Sequence, residues 1–103
     1  MRLSVVKKDG RKEEYDRKKI ETGIQKALEK RPVNEEKIEK IIGDIEYEIQ
    51  AKESCEVTSK EIGKIVLEKL KEIDDVAYLR FASVYKSFGS AESFKKEADK
   101  ITQ

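Results

Sequence analysis

Histidine is absent from the 103 residues, and cysteine, proline and methionine occur once each. Without histidine, the most frequent general base and the most frequent zinc ligand are both missing. The lone Cys55 cannot close an internal disulfide and has no evident base to activate it. It reads instead as a half-buried strand residue in a reducing compartment. The five glycines form neither a Walker-type loop nor a Rossmann pattern, and no nucleophile elbow is present. Enzymatic activity is therefore not expected. No apolar run approaches membrane-spanning length and no signal peptide is recognisable, so a cytoplasmic protein with no membrane partner is expected. Lys+Arg (23) and Asp+Glu (22) nearly cancel, leaving a formal charge of +1. That balance argues against nucleic-acid binding through bulk charge while leaving room for a local basic site.

What the chain does have is charge, 44% of its residues, and an apolar minority of 37% placed at regular intervals. The regular spacing points to a folded domain rather than disorder. Abundant Lys, Glu and Ile are compatible with a heat-adapted source. Asp9-Gly10 between two strand-like runs predicts a hairpin with a two-residue type I′ turn and strands at roughly 2–8 and 11–15. That register sets Lys8 against Arg11, Lys7 against Lys12, Val6 against Glu13 and Ser4 against Tyr15.

Asp16 is the expected cap of a first helix with an Ile20, Ile24, Ala27, Leu28 stripe. Gly23 within it is either a close approach or a tolerated defect costing about 1 kcal/mol. Pro32 separates it from a second helix capped by Asn34, with a Val33–Ile38 staple and a stripe of Ile38, Ile41, Ile42, Ile45 and Ile49. Cys55-Glu56-Val57 reads as a third strand covering one edge of the hairpin. Thr58 and Glu61 form a capping box for a third helix, with Ile62, Val66, Leu70 and Ile73 buried and Ile65 flanking. Asp74 and Asp75 break that helix and start the next, whose stripe is Ala77, Phe81, Val84, Tyr85 and Phe88. Gly89 then ends it, and Ser90 caps a last helix bearing Phe94, Ala98 and Ile101. The expected fold is α+β and mainly α. It is a single domain over 1–103: a β-hairpin or three-stranded lid (1–15), a bundle of four to five helices (16–94) with a strand near 55–57, and a C-terminal helix or tail (90–103).

Two features violate local rules in the same sense. Like charges facing each other at the hairpin tip destabilise it by about 0.2–1 kcal/mol per pair. Arg17, Lys18 and Lys19 then occupy a first helical turn, where the dipole disfavours cations by about 0.3–1 kcal/mol. Together they point to an anionic ligand. Tyr78, Phe81, Tyr85 and Phe88 are core by default, although a tyrosine there could stack on a base.

The opening Val5-Val6-Lys7-Lys8-Asp9-Gly10-Arg11-Lys12-Glu13 with Tyr15-Asp16-Arg17-Lys18-Lys19-Ile20 resembles an ATP-cone domain. Ala27 to Val33, Glu56 to Ser59 with Ile62-Gly63, and Val76 to Phe88 resemble one branch, the cone of NrdR, the bacterial repressor of ribonucleotide reductase genes. The resemblance runs from about Val5 to Phe94. It implies a helical bundle under a β-lid that binds ATP or dATP, with or without Mg2+, and no zinc. By position it implies that Val6, Lys7 and Lys8 line the lid, the lysines facing phosphates, with Gly10 as the lid's turn residue. Glu13 and Asp16 correspond to polar positions near the nucleoside, Lys19 to a further phosphate contact, and Ser59 to a small hydroxyl residue at the third helix start. Tyr85 and Lys86 match positions on the helix that closes the pocket. Lys8 stands where the family often has Arg, which trades a bidentate fork for a point charge.

Repressors of this branch begin with a four-cysteine zinc ribbon and reductases continue into a catalytic domain; neither has a counterpart in this sequence. What the resemblance transfers is therefore the sensor. It implies a non-catalytic allosteric module, responding to ATP/dATP through nucleotide-dependent homo-oligomerisation, with a separate DNA-binding or ribonucleotide reductase partner. The alternatives are a module contacting nucleic acid through the same basic hairpin, or a purely protein-interaction bundle.

Overall fold

A computed structural model of the chain describes residues 2–86 and 90–101. The elements run β1 (Ser4–Val6), β2 (Lys12–Glu14), α1 (Arg17–Ala27), α2 (Glu35–Ala51), β3 (Glu56–Thr58), α3 (Ser59–Ile73), α4 (Asp75–Tyr85) and α5 (Ala91–Ile101). The fold is the expected α+β, mainly helical one, with a small mixed sheet on a helical bundle. The sheet order is β2-β1-β3, so the first strand is central. β1 pairs antiparallel with β2 and parallel with β3, and Val5 stands opposite Glu13 on one side and Val57 on the other. Leu3, Val5 and Val57 are buried against the helices.

The hairpin turn differs from the expected one. Lys7 N–H donates to the Arg11 carbonyl at 2.8 Å and Gly10 N–H to the Lys7 carbonyl at 2.9 Å. Three residues, Lys8, Asp9 and Gly10, therefore form the loop, with Gly10 at φ +88°. This is the longer hairpin in which a turn is followed by a left-handed glycine. Asp9 favours it by accepting from Arg11 N–H at 3.0 Å and Arg11 Nε at 2.7 Å. The register moves by one residue: Val6 faces Lys12, and Lys7 rather than Lys8 stands across from Arg11. Only one like-charged pair therefore remains at the tip. The strands are also shorter than expected, and Cys55, expected half-buried, is exposed ahead of β3.

The helix starts follow their caps. Asp16 accepts from Lys18 N–H, Asn34 from Lys37 N–H and Thr58 from Glu61 N–H, at 2.9–3.0 Å. The Thr58 hydroxyl also donates to Glu61 Oε1 at 3.1 Å, closing the capping box through the side chain. Asp74 ends α3 and caps α4, accepting from Ala77 N–H at 2.9 Å. The same carboxylate takes a two-pronged bond from Arg31, at 2.8 and 3.0 Å, which pins the α1–α2 connection to the α3–α4 corner. That pairing holds the Asp74 carboxyl below its usual range, the Arg31 guanidinium being the largest cause. Arg80 Nη1 donates to the carbonyls of Ala27 and Glu29 and so caps the end of α1.

Ile24, Ile42, Ile45, Ile49, Val66 and Leu70 are the most fully enclosed large side chains, so the core lies between α1, α2 and α3. Each contributes about 1.5–3 kcal/mol by leaving water. The α2 stripe is buried throughout. On α3 the core residues include Ile65 and Leu67, whereas Ile62 and Ile73 are only partly covered. This helix packs between α2 and α4, and its apolar face is correspondingly wide. On α4 the buried residues are Ala77, Tyr78 and Ala82, and Val84, expected inside, is 81% exposed. Phe88 and Gly89 lie outside the described residues.

The last helix departs most from the apolar-stripe reading. Ser90 Oγ accepts from Ser93 N–H at 3.2 Å, as a cap should. Yet Phe94 is 39% exposed, and the buried residue of α5 is Glu97, at 4%. Its carboxylate accepts from the Tyr78 hydroxyl, from Lys86 Nζ at 3.0 Å and from Lys100 Nζ at 3.3 Å. These contacts hold the Glu97 carboxyl at about 2, against an ordinary 4.5; the Tyr78 hydroxyl is the largest cause and burial opposes it. A depressed carboxyl contributes stability above its unfolded value and loses it as pH falls through the folded one. The melting temperature should therefore fall between pH 4.5 and about 2, and Glu97→Gln should flatten part of that fall while lowering stability at pH 7. Thermal melts of both proteins across that range check it; parallel profiles would show that Glu97 carries none of the dependence.

Candidate functional site

Because β1 and β3 run parallel with Val6 beside Thr58, the next residues, Lys7 and Ser59, leave the sheet side by side at the start of α3. Two concavities meet there. One is a cavity of about 200 Å³ between the sheet and the helices, floored by Ile20, Ile62, Val66 and Phe81 and rimmed by Lys7, Glu13, Asp16, Lys19 and Ser59. The other is an open groove of about 830 Å³ at the hairpin tip, bordered by Lys7, Lys8, Asp9, Arg11, Ser59, Lys60 and Lys86. Lys7, Ser59 and Tyr85 border both. The groove falls within the range of about 300–1,000 Å³ typical of small-molecule sites.

Tyr85 is the wall between them. Its ring stacks on Phe81, with centroids 6.3 Å apart and planes 20° from parallel. Its hydroxyl donates to the Lys60 carbonyl at 2.7 Å. The ring lies over Gly63, where a Cβ would overlap it. Gly63 is thus a close approach between α3 and α4. Gly23 is not: a Cβ there would meet Phe81 at an ordinary 3.5 Å.

Charges around the site are largely paired already. Glu13 Oε2 lies 3.0 Å from Lys19 Nζ and 3.6 Å from Lys7 Nζ. Lys19 is the largest cause of the lowered Glu13 carboxyl. Arg11 pairs with Asp9, and Lys12 reaches Glu56 at 2.8 Å. Among the described residues, Lys8 and Lys60 have no carboxylate within ion-pair distance.

The structure brings Lys7, Glu13, Asp16, Lys19, Ser59 and Tyr85 to the cavity, and Lys8 and Lys86 to the groove. Val6 and Gly10 border neither; Val6 stands on the opposite pleat from Val5 and Lys7. The cationic first turn of α1 divides. Lys19 reaches the cavity, whereas Arg17 turns to α2, with Glu46 at 2.8 Å and Glu39 at 3.3 Å, besides Glu21 at 2.9 Å on its own helix. Successive helical residues sit about 100° apart, so three in a row cannot share one ligand. The acids of α2 account for Arg17 without any ligand. Sequence reasoning does not select Ile62, Gly63, Phe81 or Lys60 as site residues. The i, i+4 spacing of Phe81 and Tyr85 is the signal that could have found the aromatic wall.

Residues 3–91 match the ATP cone domain family. The chain belongs to the ATP-cone family. It is similar to the transcriptional repressor NrdR of Dictyoglomus thermophilum, 54% identical over 94 residues that make up 91% of this chain and 63% of that protein. The NrdR of Petrotoga mobilis is 54% identical over 93 residues, 90% of this chain and 62% of the relative. That of Caldicellulosiruptor bescii is 50% identical over 99 residues, 96% and 65% respectively. The chain thus spans less than two thirds of the length of these relatives.

Two of the cone's interior helical glycines, Gly43 and Gly63, offer a contrast. Gly43 on α2 has open space where a methyl group would stand, so Gly43→Ala should stabilise by about 0.5–1 kcal/mol. Gly63→Ala should instead destabilise, by about 1–3 kcal/mol, because the methyl group displaces the Tyr85 ring. In a Tyr85→Ala background the Gly63→Ala loss should disappear. Urea unfolding of the four variants measures all of these signs, and equal effects at the two glycines would refute the close approach.

Proposed function

We propose that this ATP cone is a non-catalytic regulatory module that senses ATP or dATP at the junction of the cavity and the groove. The observation that carries the reading is the joining of an aromatic-walled apolar cavity to a cationic groove through Lys7, Ser59 and Tyr85. An adenine base suits the cavity, where Phe81 and Tyr85 supply flat apolar faces. A triphosphate suits the groove, where Lys7, Lys8, Lys60 and Lys86 converge beside the positive end of α3. On this reading the ribose hydroxyls meet Glu13 and Asp16, which line the rim of the cavity. Among the described residues no group of His, Cys, Asp and Glu forms a metal site, so a Mg2+ ion would arrive with the triphosphate.

ATP and dATP differ by one hydroxyl, and a net hydrogen bond is worth about 0.5–1.5 kcal/mol. Direct discrimination is accordingly modest, and the response to their balance lies in nucleotide-dependent homo-oligomerisation. The relatives are named transcriptional repressors, so the partner on this reading is a DNA-binding segment or protein controlling ribonucleotide reductase genes. A cytoplasmic setting follows from that role. The competing nucleic-acid reading of the hairpin is weakened by its pairing: Lys7, Arg11 and Lys12 each have a carboxylate partner.

Calorimetry with ATP and dATP should give saturable heat, and its absence at millimolar nucleotide would overturn the reading. Lys7→Ala combined with Lys19→Ala should weaken binding about tenfold or more, since hydrogen bonds to charged groups contribute about 1.5–3 kcal/mol each. The far-ultraviolet circular dichroism of the double variant should be unchanged, because its two lysines pair only with Glu13 at the surface. Unaltered affinity would remove both lysines from the site.

A further inference from the structure

Lys86 belongs to two places at once. Its side chain borders the cationic groove beside Lys60 and Tyr85. Its ammonium group also lies 3.0 Å from Oε1 of the buried Glu97. Glu97 sits on α5, and all of that helix after its first residue falls beyond the family match at 3–91. The apolar residues of α5 are only partly covered: Phe94 is 39% exposed, Ala98 is half-buried, and Ile101 packs half-buried against the core. Its attachment leans on a buried carboxylate, and such a group is tolerated only while its partners stay in place.

We propose that α5 is the output element of the nucleotide site and that Lys86 couples the two. This rests on the reading that a triphosphate occupies the groove. A phosphate there draws the Lys86 ammonium from Glu97, or else shares it and brings a second anion close to a buried carboxylate. Both outcomes weaken the docking of α5. Tyr78 and Lys100 then hold Glu97 alone, and Lys100 is the more solvent-exposed of the two ammonium partners. Linkage makes the effect reciprocal: loosening α5 by any other route frees Lys86 and tightens nucleotide binding by the same factor.

Hydrogen exchange of the whole chain reads the first half directly. Saturating ATP should speed amide exchange in residues 91–101, and adenosine, which has no phosphate, should leave it unchanged. Tyr78→Phe reads the second half, because Tyr78 borders neither the cavity nor the groove yet supports Glu97. It should raise ATP affinity about fivefold or more. A Tyr78 with a purely structural role would leave affinity unchanged or lower it. If ATP gives no heat of binding, the nucleotide reading itself fails. If ATP binds while α5 exchange stays constant or slows, the site stands and the coupling fails. Should Tyr78→Phe not fold, the exchange measurement on the unaltered chain decides alone.

Discussion

The parallel pairing of β1 with β3 fixes everything around the site. β2 leads through Asp16 into α1, and β3 becomes α3 without a single intervening residue. A central β1 bonded on both sides therefore ties the starts of two helices to one three-residue strand. Lys7, Glu13, Lys19 and Ser59 come from four different segments, and only this pairing brings them to one rim. Ser4 N–H donating to the Cys55 carbonyl at 2.9 Å extends the same seam by one bond. A substitution that slipped the β1–β3 register by one residue would turn the inward residue of the shifted strand, Val5 or Val57, out of the core. The apolar cost of a slip is thus what protects the geometry of the polar rim.

α4 supplies the opposite wall under a different constraint. Small residues, Ala77 and Ala82, let it pack closely against the bundle, and Gly63 lets the Tyr85 ring lie flat against α3. Its two ends are anchored by charge. Asp74 is held by Arg31 at the start, and Lys86 is held by Glu97 just past the end. The orientation of Tyr85 therefore depends on contacts made from α5 as well as on those within the cavity.

The helical part of the fold was legible because its signals are local. Each stripe follows the 3.6-residue period, and Asp16, Asn34, Thr58 and Ser90 cap the helices that follow them. What was not legible depends on partners distant in sequence or on degenerate turn chemistry. Asp-Gly suits both the two-residue turn and the three-residue loop, and the choice rests on the Asp9 carboxylate reaching Arg11. Arg17 looked like part of an anion clamp until Glu39 and Glu46, on the next helix, stood beside it. Val84 continues the α4 stripe in sequence, but the helix turns Ala77, Tyr78 and Ala82 inward and leaves Val84 exposed. Glu97 itself gives no sequence signal, because a buried acid is indistinguishable from a solvated one until its donors are known. Of the candidate residues that the family pattern named, Lys7, Glu13, Asp16, Lys19 and Ser59 border the cavity and Lys8 the groove, while Val6 and Gly10 border neither. The Gly63–Tyr85 contact was not legible, since it links residues 22 positions apart on separate helices.

The paired state of the charges bears on how such a site can report occupancy. On the proposed reading, an anion that engages Lys7 and Lys19 must first displace or crowd Glu13, which already sits between them. An anion that engages Lys86 meets the same situation with Glu97. Binding is then an exchange of partners rather than a simple addition, and exchange dissipates affinity in proportion to the pairs it disrupts. What is lost in affinity reappears as altered contacts elsewhere, in the lid that carries Glu13 and in the helix that carries Glu97. The two carboxylates differ in consequence. Glu13 is partly solvated and can be released into water with little penalty, whereas Glu97 is enclosed and cannot lose a partner without weakening the docking of its helix. On this reading the enclosed Glu97 is therefore the carboxylate able to convert a change of ligand into a change of structure.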